Sequence, residues 1–248
     1  MSEEIWRIWN KDESVEQRTF QRTTGELPEM ECTKQLVSLI SDEYQSGLKI
    51  LDVGCASGHY YNGIKRIDEG ISYYGIDATV PYIEFAKKYF ADNPNTNFEL
   101  GDIFNLDDRH NLQFDISYCC NVLLHLPDFR EPVKNLLKVT KKTCFIRTLL
   151  SDQTHLSKFL YSDQFDENGA PTDFVFQNTY SYDLFKTYIK SLGNFDVEYI
   201  DDVFNVDAIS KEYEDFNKVL GAVTNVQNNI QIAGSKVFEW KWVKITRK

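Results

Sequence analysis

Asp77, Asp102 and the turn Gly54-Cys55-Ala56-Ser57-Gly58 are the residues whose types and spacing best suit ligand chemistry in this chain of 248 residues. Gly54 lets the backbone turn tightly and lets a ligand approach the main chain. A helix starting behind the turn would offer unpaired N–H groups and a positive dipole end, which suits a phosphate or an amino-acid carboxylate. Asp77 closes Gly75-Ile76-Asp77 at the end of an apolar run, where a carboxylate can accept from both hydroxyls of a ribose at ~1.5–3 kcal/mol per bond. The plainer role for Asp77 is an N-cap for the segment that opens near Pro81. Asp102 follows Gly101; it can accept from an adenine amino group while the N–H of Ile103 serves a ring nitrogen, and its plainer role is an Asx turn.

Two histidines stand where a general base is useful. His125 lies in Asn121-Val122-Leu123-Leu124-His125-Leu126-Pro127-Asp128, and His155 follows the next apolar run. Either can draw a proton from a hydroxyl; either can equally be a loop residue that orders its turn. His59 is expected near the ligand and His110 on the surface. Asp201-Asp202 invites a metal reading, but no third ligand is evident and paired acids at a strand end are usually solvated, so no metal is expected. None of the five cysteines forms a CxxC pair, which argues against zinc and for buried reduced thiols.

These residues need elements to position them. Apolar runs at Lys49–Val53, Ile71–Ile76, Asn97–Leu100, Phe114–Tyr118, Thr143–Thr148 and Phe195–Ile200 read as strands, and Val237–Ile245 alternates as a last one. Helical spacing falls at Thr33–Tyr44, at Ser57–Ile67, after Pro81, at Val133-Leu136-Leu137 behind an Asp128/Glu131 capping pair, and at Tyr182–Leu192 before Gly193. Strands alternating with helices predict an α/β fold: a Rossmann-like, doubly wound, mostly parallel sheet of seven strands with the last antiparallel. The chain reads as a single domain over 1–248, with an N-terminal arm and helix over 1–45 and cap insertions at 151–180 and 204–235. Trp6, Trp9, Phe20, Phe159, Tyr161, Phe165, Phe174, Phe176 and Tyr180 are expected either to fill those additions or to wall a pocket. In the second insertion Ile209–Leu220 has helical spacing while Asn225–Gln231 is polar and weakly patterned, so a mobile lid is expected there.

With these residues in order, the chain resembles the class I S-adenosylmethionine-dependent methyltransferase family. The first motif of that family appears as Ile50–Gly58, the acidic second as Asp77, the third as Asp102, and the fourth as Phe114-Asp115-Ile116 leading to Asn121. The resemblance covers roughly residues 48–150. It implies S-adenosylmethionine as cofactor, with the Gly54 turn at the methionine end, Asp77 at the ribose, and Asp102 with Ile103 at the adenine. Asp52, Cys55, Gly58, Ala78 and Asn121 are carried over as further cofactor contacts. Ala56 departs from the glycine found in many members. The rival nicotinamide fingerprint needs glycines at 54, 56 and 59, and this chain has Gly54, Ala56 and His59.

A net charge of −11 without basic clusters repels polyanions, so nucleic acid and anionic membrane are not expected partners. The N-terminal residues lack the basic-then-apolar order of a signal peptide, and a cytoplasmic location is expected. The expected partner is a small-molecule methyl acceptor: O-methylation of a sugar or similar polar metabolite first, N-methylation of a small amine next. A non-catalytic cofactor-binding module of the same fold is the alternative from another class.

Overall fold

The computed structural model describes residue 9 and residues 12–106, 114–160, 162–204, 224–227, 230–233 and 236–248. His110, Tyr161, Trp6 and the helical pattern at 209–220 lie outside them. The central sheet runs β3 (Thr96–Leu100), β2 (Ser72–Asp77), β1 (Lys49–Val53), β4 (Phe114–Cys120), β5 (Thr140–Ser151), β13 (Trp240–Arg247), β9 (Phe195–Asp201). The first five are parallel to one another, and β13 is antiparallel to both β5 and β9. An eighth strand, β8 (Tyr180–Ser181), pairs with the end of β5. The chain works outward from β1 to β3, then crosses back to β4, so the strand order reverses between β1 and β4. In such sheets that switch point opens the ligand crevice at the strand C-ends.

Strand periodicity divides the residues of β1 between two cores. Ile50 joins the cluster under α2 (Glu31–Ser41), α3 (Tyr61–Ile64) and α4 (Val80–Tyr89), with Leu36, Ile40, Ile64, Ile83 and Ala86. Leu51 and Val53 join the opposite cluster under α5 (Arg130–Val139) and α6 (Tyr182–Ser191), with Val133, Leu136, Phe185 and Ile189. Full burial of one such side chain is worth ~1.5–3 kcal/mol, so these two layers fix the sheet.

Several local expectations are corrected. The helix expected over Ser57–Ile67 is only the four residues of α3; around it the chain winds through tight i→i+3 bonds, Tyr61 N to Gly58 O, Gly63 N to Tyr60 O and Ile67 N to Ile64 O. Gly58 sits at φ +82°, which no helix accommodates. The N-terminal arm contains a helix, α1 (Glu13–Thr24), capped by Asp12 Oδ1 accepting from the Val15 N–H at 3.1 Å. Phe20 of α1 stacks on Phe85 of α4 at 4.0 Å, and Thr23 Oγ1 lies 2.7 Å from Ser57 Oγ. Asp128 and Glu131 are no capping box: Asp128 accepts from the Arg130 N–H, and Glu131 pairs with Lys134.

The first insertion is folded. Its strands β6 (Lys158–Leu160) and β7 (Phe174–Phe176) pair antiparallel, and the fully buried Asn178 pins it by donating to Leu126 O at 2.8 Å. Among the described residues, its aromatics do not take the second of their two expected roles, walling a pocket. Phe159 and Phe165 are 60% and 54% exposed, and Tyr180 is core. In the second insertion β10 (Thr224–Gln227) pairs antiparallel with β11 (Ile230–Ala233), and β11 with β12 (Lys236–Val237). The stretch read as polar and weakly patterned thus contributes to two paired strands, and the strand read over Val237–Ile245 is divided between β12 and β13. No helix among the described residues is long and apolar enough to cross a membrane.

Candidate active site

One cavity of about 560 Å³ opens at the switch point. The ends of β1, β2, β3 and β4 bring Gly54, Asp77, Ala78, Asp102, Ile103 and Asn121 to its wall, and the turn after β4 adds His125. Asp52, Cys55, Gly58 and His155 are not among the residues that line it. The causes are local. Asp52 shares with Ile50 the face of β1 that lies under α2, α3 and α4, where Tyr73 and Tyr118 hold its carboxylate inside the fold. Cys55 is fully buried, and its N–H is committed to Ile76 O at 3.1 Å. Gly58 is a packing glycine, since a Cβ there would lie 2.7 Å from Phe98 and 2.9 Å from Phe90. His155 is exposed and bridges Thr179 on the first insertion.

The turn itself differs from an open anion cradle. Gly54 N–H and Cys55 N–H both donate to Ile76 O, at 2.7 and 3.1 Å, and Ala56 N–H donates to Asp77 Oδ2 at 2.8 Å. These donors are spent inside the fold, and a four-residue helix contributes little dipole. Gly54 earns its place sterically: at φ +79°, any Cβ would fall 2.2 Å from Val122 Cγ2. Ala56 holds φ +47°, a left-handed conformation that costs an alanine ~1–2 kcal/mol and that the Asp77 bond helps to hold.

Asp77 also accepts from the Thr79 N–H, through Oδ1 at 2.8 Å. Both carboxylate oxygens are thus tied to the backbone, in a side chain that lines the cavity. Burial raises its pKa, and the N–H groups of Thr79 and Ala56 counter this. Asp102 accepts from the Phe104 N–H at 2.9 Å through one oxygen.

Asp52 is nearly fully buried; Tyr73 and Tyr118 both donate to its Oδ2, at 2.6 and 2.9 Å, while Oδ1 has no hydrogen-bond partner among the described residues. Burial pushes its pKa up to about 7, against those two bonds. An acid with a raised folded pKa stabilises the fold fully below its unfolded pKa of 3.8 and loses that contribution as pH rises through about 7. The Asp52 contribution should therefore fall between pH 4 and pH 8, so Asp52→Asn should gain stability relative to wild type across that range, its oxygen still accepting from both tyrosines. Denaturant midpoints across this range check it; parallel curves for the two proteins would refute it.

His125 Nδ1 lies 2.9 Å from the Phe176 carbonyl oxygen. A carbonyl only accepts, so Nδ1 carries a proton, and in the neutral form of the ring the lone pair is on Nε2. Trp9 meets the ring edge-on at 5.1 Å. His59 also reaches the cavity; burial, then the Arg22 charge, drives its pKa down to about 3, so it is neutral.

Sequence reasoning missed three contributors. Arg18 and Arg22 line the cavity from α1, and their i,i+4 spacing in a chain of net charge −11 was the available signal. Arg147, on β5, is paired with Asp202 through two bonds of 2.7 Å, with side chains only 7% and 5% exposed. Asp201-Asp202 is thus not a solvated pair: Asp202 is buried against Arg147, while Asp201 meets Lys241 at the surface. No cluster of potential metal ligands occurs among the described residues.

The profile of a methyltransferase domain family matches residues 44–178, more than half of the chain. The chain belongs to this methyltransferase domain family. The methyltransferase is 34% identical over 98 residues to the mitochondrial ubiquinone biosynthesis O-methyltransferase of Schizosaccharomyces pombe, a match of 39% of this chain and 35% of that protein. The match thus spans about a third of the relative's length. Among solved structures, a putative sarcosine dimethylglycine methyltransferase from Galdieria sulphuraria aligns with a TM-score of 0.56 at 13% identity, over 87% of this chain and 85% of that one. Magnesium protoporphyrin IX methyltransferase from Synechocystis PCC 6803 with bound S-adenosylmethionine aligns with a TM-score of 0.52 at 13% identity, over 99% and 90%. At such identity the structures speak for the fold. The cofactor of this methyltransferase is S-adenosylmethionine, and the donor set fits it: carboxylates at the ends of β2 and β3 on one wall, and two arginines from α1.

Proposed function

We propose that this methyltransferase transfers a methyl group to a hydroxyl oxygen of a small acceptor with a flat, apolar body, and that His125 is its general base. The observation that carries this is the tautomer fixed by Phe176, which gives the neutral ring its lone pair on Nε2, in a residue lining the cavity beside Asn121. Trp9, Leu124, Leu126, Phe238 and Trp240 line the cavity with these two residues and suit a planar ring. A sugar, with hydroxyls on every side, needs more polar partners than these walls supply. The name of the Schizosaccharomyces pombe relative supports oxygen as the methylated atom.

In this reading Asp77 accepts from the ribose hydroxyls and Asp102 from the adenine amino group beside the Ile103 N–H. Arg18 and Arg22 face the methionine carboxylate with positive charge. When bound, S-adenosylmethionine supplies an activated sulfonium methyl, whose bond to sulfur breaks as the acceptor oxygen bonds to carbon. The protein holds the oxygen in line, and His125 Nε2 takes the hydroxyl proton. The net charge of −11 supports a small acceptor over a nucleic acid.

Incubation of the protein with a metabolite pool and trideuteromethyl-labelled cofactor tests the proposal. A product heavier by one labelled methyl, with the label on oxygen, is expected. Label found on nitrogen alone, or cofactor bound without turnover of any acceptor, would replace this reading with the amine-methylating or non-catalytic one.

A further inference from the structure

A buried ion pair needs a reason, because apolar residues of similar size often stabilise a fold as well or better. Arg147 and Asp202 form one at the cavity edge of the sheet. Arg147 stands on β5 opposite Cys120 of β4 and Trp242 of β13, and Asp202 directly follows β9. The guanidinium also lies over the Trp240 ring, 4.2 Å from its centroid. A further bond runs from Nη1 to Asn121 Oδ1 at 2.6 Å.

That bond decides which way the Asn121 amide faces. A guanidinium has donors only, so the amide must turn its oxygen toward Arg147 and its NH2 away. Asn121 is also held by its backbone: its N–H donates to Arg147 O at 3.0 Å, and its φ is +61°. A left-handed non-glycine residue persists only where its surroundings over-determine it, and such residues cluster at sites of function. Asn121 and Trp240 both line the cavity, and His125 follows four residues later in the same tight turn, with His125 N–H on Val122 O.

We propose that Arg147 and Asp202 are positioning residues that hold the Asn121 NH2 toward the cavity, where it donates to an acceptor oxygen adjacent to the hydroxyl being methylated. This rests on the hydroxyl-methylating reading above and narrows it. Asn121 supplies a donor and His125 a proton acceptor from one short turn, so the two together select an acceptor with two neighbouring oxygens. Asn121 thus serves the acceptor rather than the cofactor. Asp202 acts through Arg147, fixing the plane of its fork so that Nη1 is left for Asn121.

Catechol and phenol are the smallest probe pair that differs in the second oxygen. Their binding to the full chain saturated with S-adenosylhomocysteine is measured by calorimetry, for wild type, Asn121→Gly, Asp202→Asn and the double variant. Glycine accepts the φ of position 121, and asparagine at 202 keeps an acceptor oxygen for Arg147, so thermal melts should show all four folded. Wild type is expected to bind catechol about tenfold more tightly than phenol, and Asn121→Gly to bind the two equally. Asp202→Asn should lose part of the preference, and the double variant should match Asn121→Gly, because the outer residue acts only through the inner one. Additive losses in the double variant, or a wild type that does not distinguish the probes, overturn the proposal. If hydroxyl methylation is found without catechol preference, the positioning fails and the wider reading stands. If the preference and its loss appear while methyl goes only to nitrogen, the wider reading fails and the positioning stands.

Discussion

Replacement of Asp77 by alanine is expected to weaken S-adenosylmethionine binding by roughly 10–100-fold, the cost of one to two hydrogen bonds to a charged acceptor. The geometry adds a second loss. Asp77 is the bond partner of the Ala56 and Thr79 N–H groups, so its removal also releases the left-handed Ala56 turn. Asp77→Asn should be no milder, although it is nearly isosteric. Its amide must set an NH2 against one of two backbone N–H donors, and no flip avoids the clash. Asp102→Ala should cost less, because an adenine amino group can rebond to water. Calorimetric titration with cofactor checks the order; unchanged affinity in Asp77→Ala, or a larger loss in Asp102→Ala, would overturn the assignment of the two carboxylates.

For His125 the expected loss is in turnover. Removing a general base costs ~10²–10⁴-fold, so His125→Ala should lower kcat by that factor and leave cofactor affinity nearly intact. The imidazole also ties the turn after β4 to the first insertion through Phe176 O, and this second role must be separated. His125→Asn retains an N–H donor without a usable base. If the loss is chemical, both variants are equally slow; recovery of rate in His125→Asn would mean that the tie alone matters. An amine acceptor, already nucleophilic, would leave kcat little changed in either variant.

The sheet was legible in the sequence because each of its parallel strands is a short apolar run bounded by turn residues, and because Asp77 and Asp102 end their strands at the crevice edge. Asp52 shows where that reasoning stopped. It is a carboxylate like Asp77 and also borders the glycine turn, but it lies one residue before the strand end, on the same face as Ile50. Alternation along β1 assigns it to the face under α2, α3 and α4, whereas the motif resemblance implies a cofactor contact. The short α3 was hidden because Tyr60, Ile64 and Ile67 keep helical spacing even where Gly58 and Gly63 tighten the winding. Arg147 carried a signal that went unread: a lone cation inside Cys144-Phe145-Ile146-Arg147-Thr148-Leu149-Leu150, a run buried throughout. Its anion, Asp202, lies 55 residues away and is joined to it only by the order of β5, β13 and β9. Spacing along the chain does not encode such a pairing.

That strand order also dictates when the molecule can finish folding. β9 does not touch β5; β13 lies between them, antiparallel to both, although it comes last of the three in the chain. Until β13 docks, β9 has no strand to pair with and β5 presents an open edge. Closing this gap joins residues roughly 90–100 positions apart, the kind of non-local contact that slows folding. Trp240, at the start of β13, is also part of the cavity wall and covers Arg147. During synthesis, therefore, β1 to β5 can assemble while the ribosome is still working, but the catalytic chamber closes only after the 240s have emerged. A nascent chain held short of them would carry an exposed β5 edge, a template for mispairing that a chaperone would have to shield.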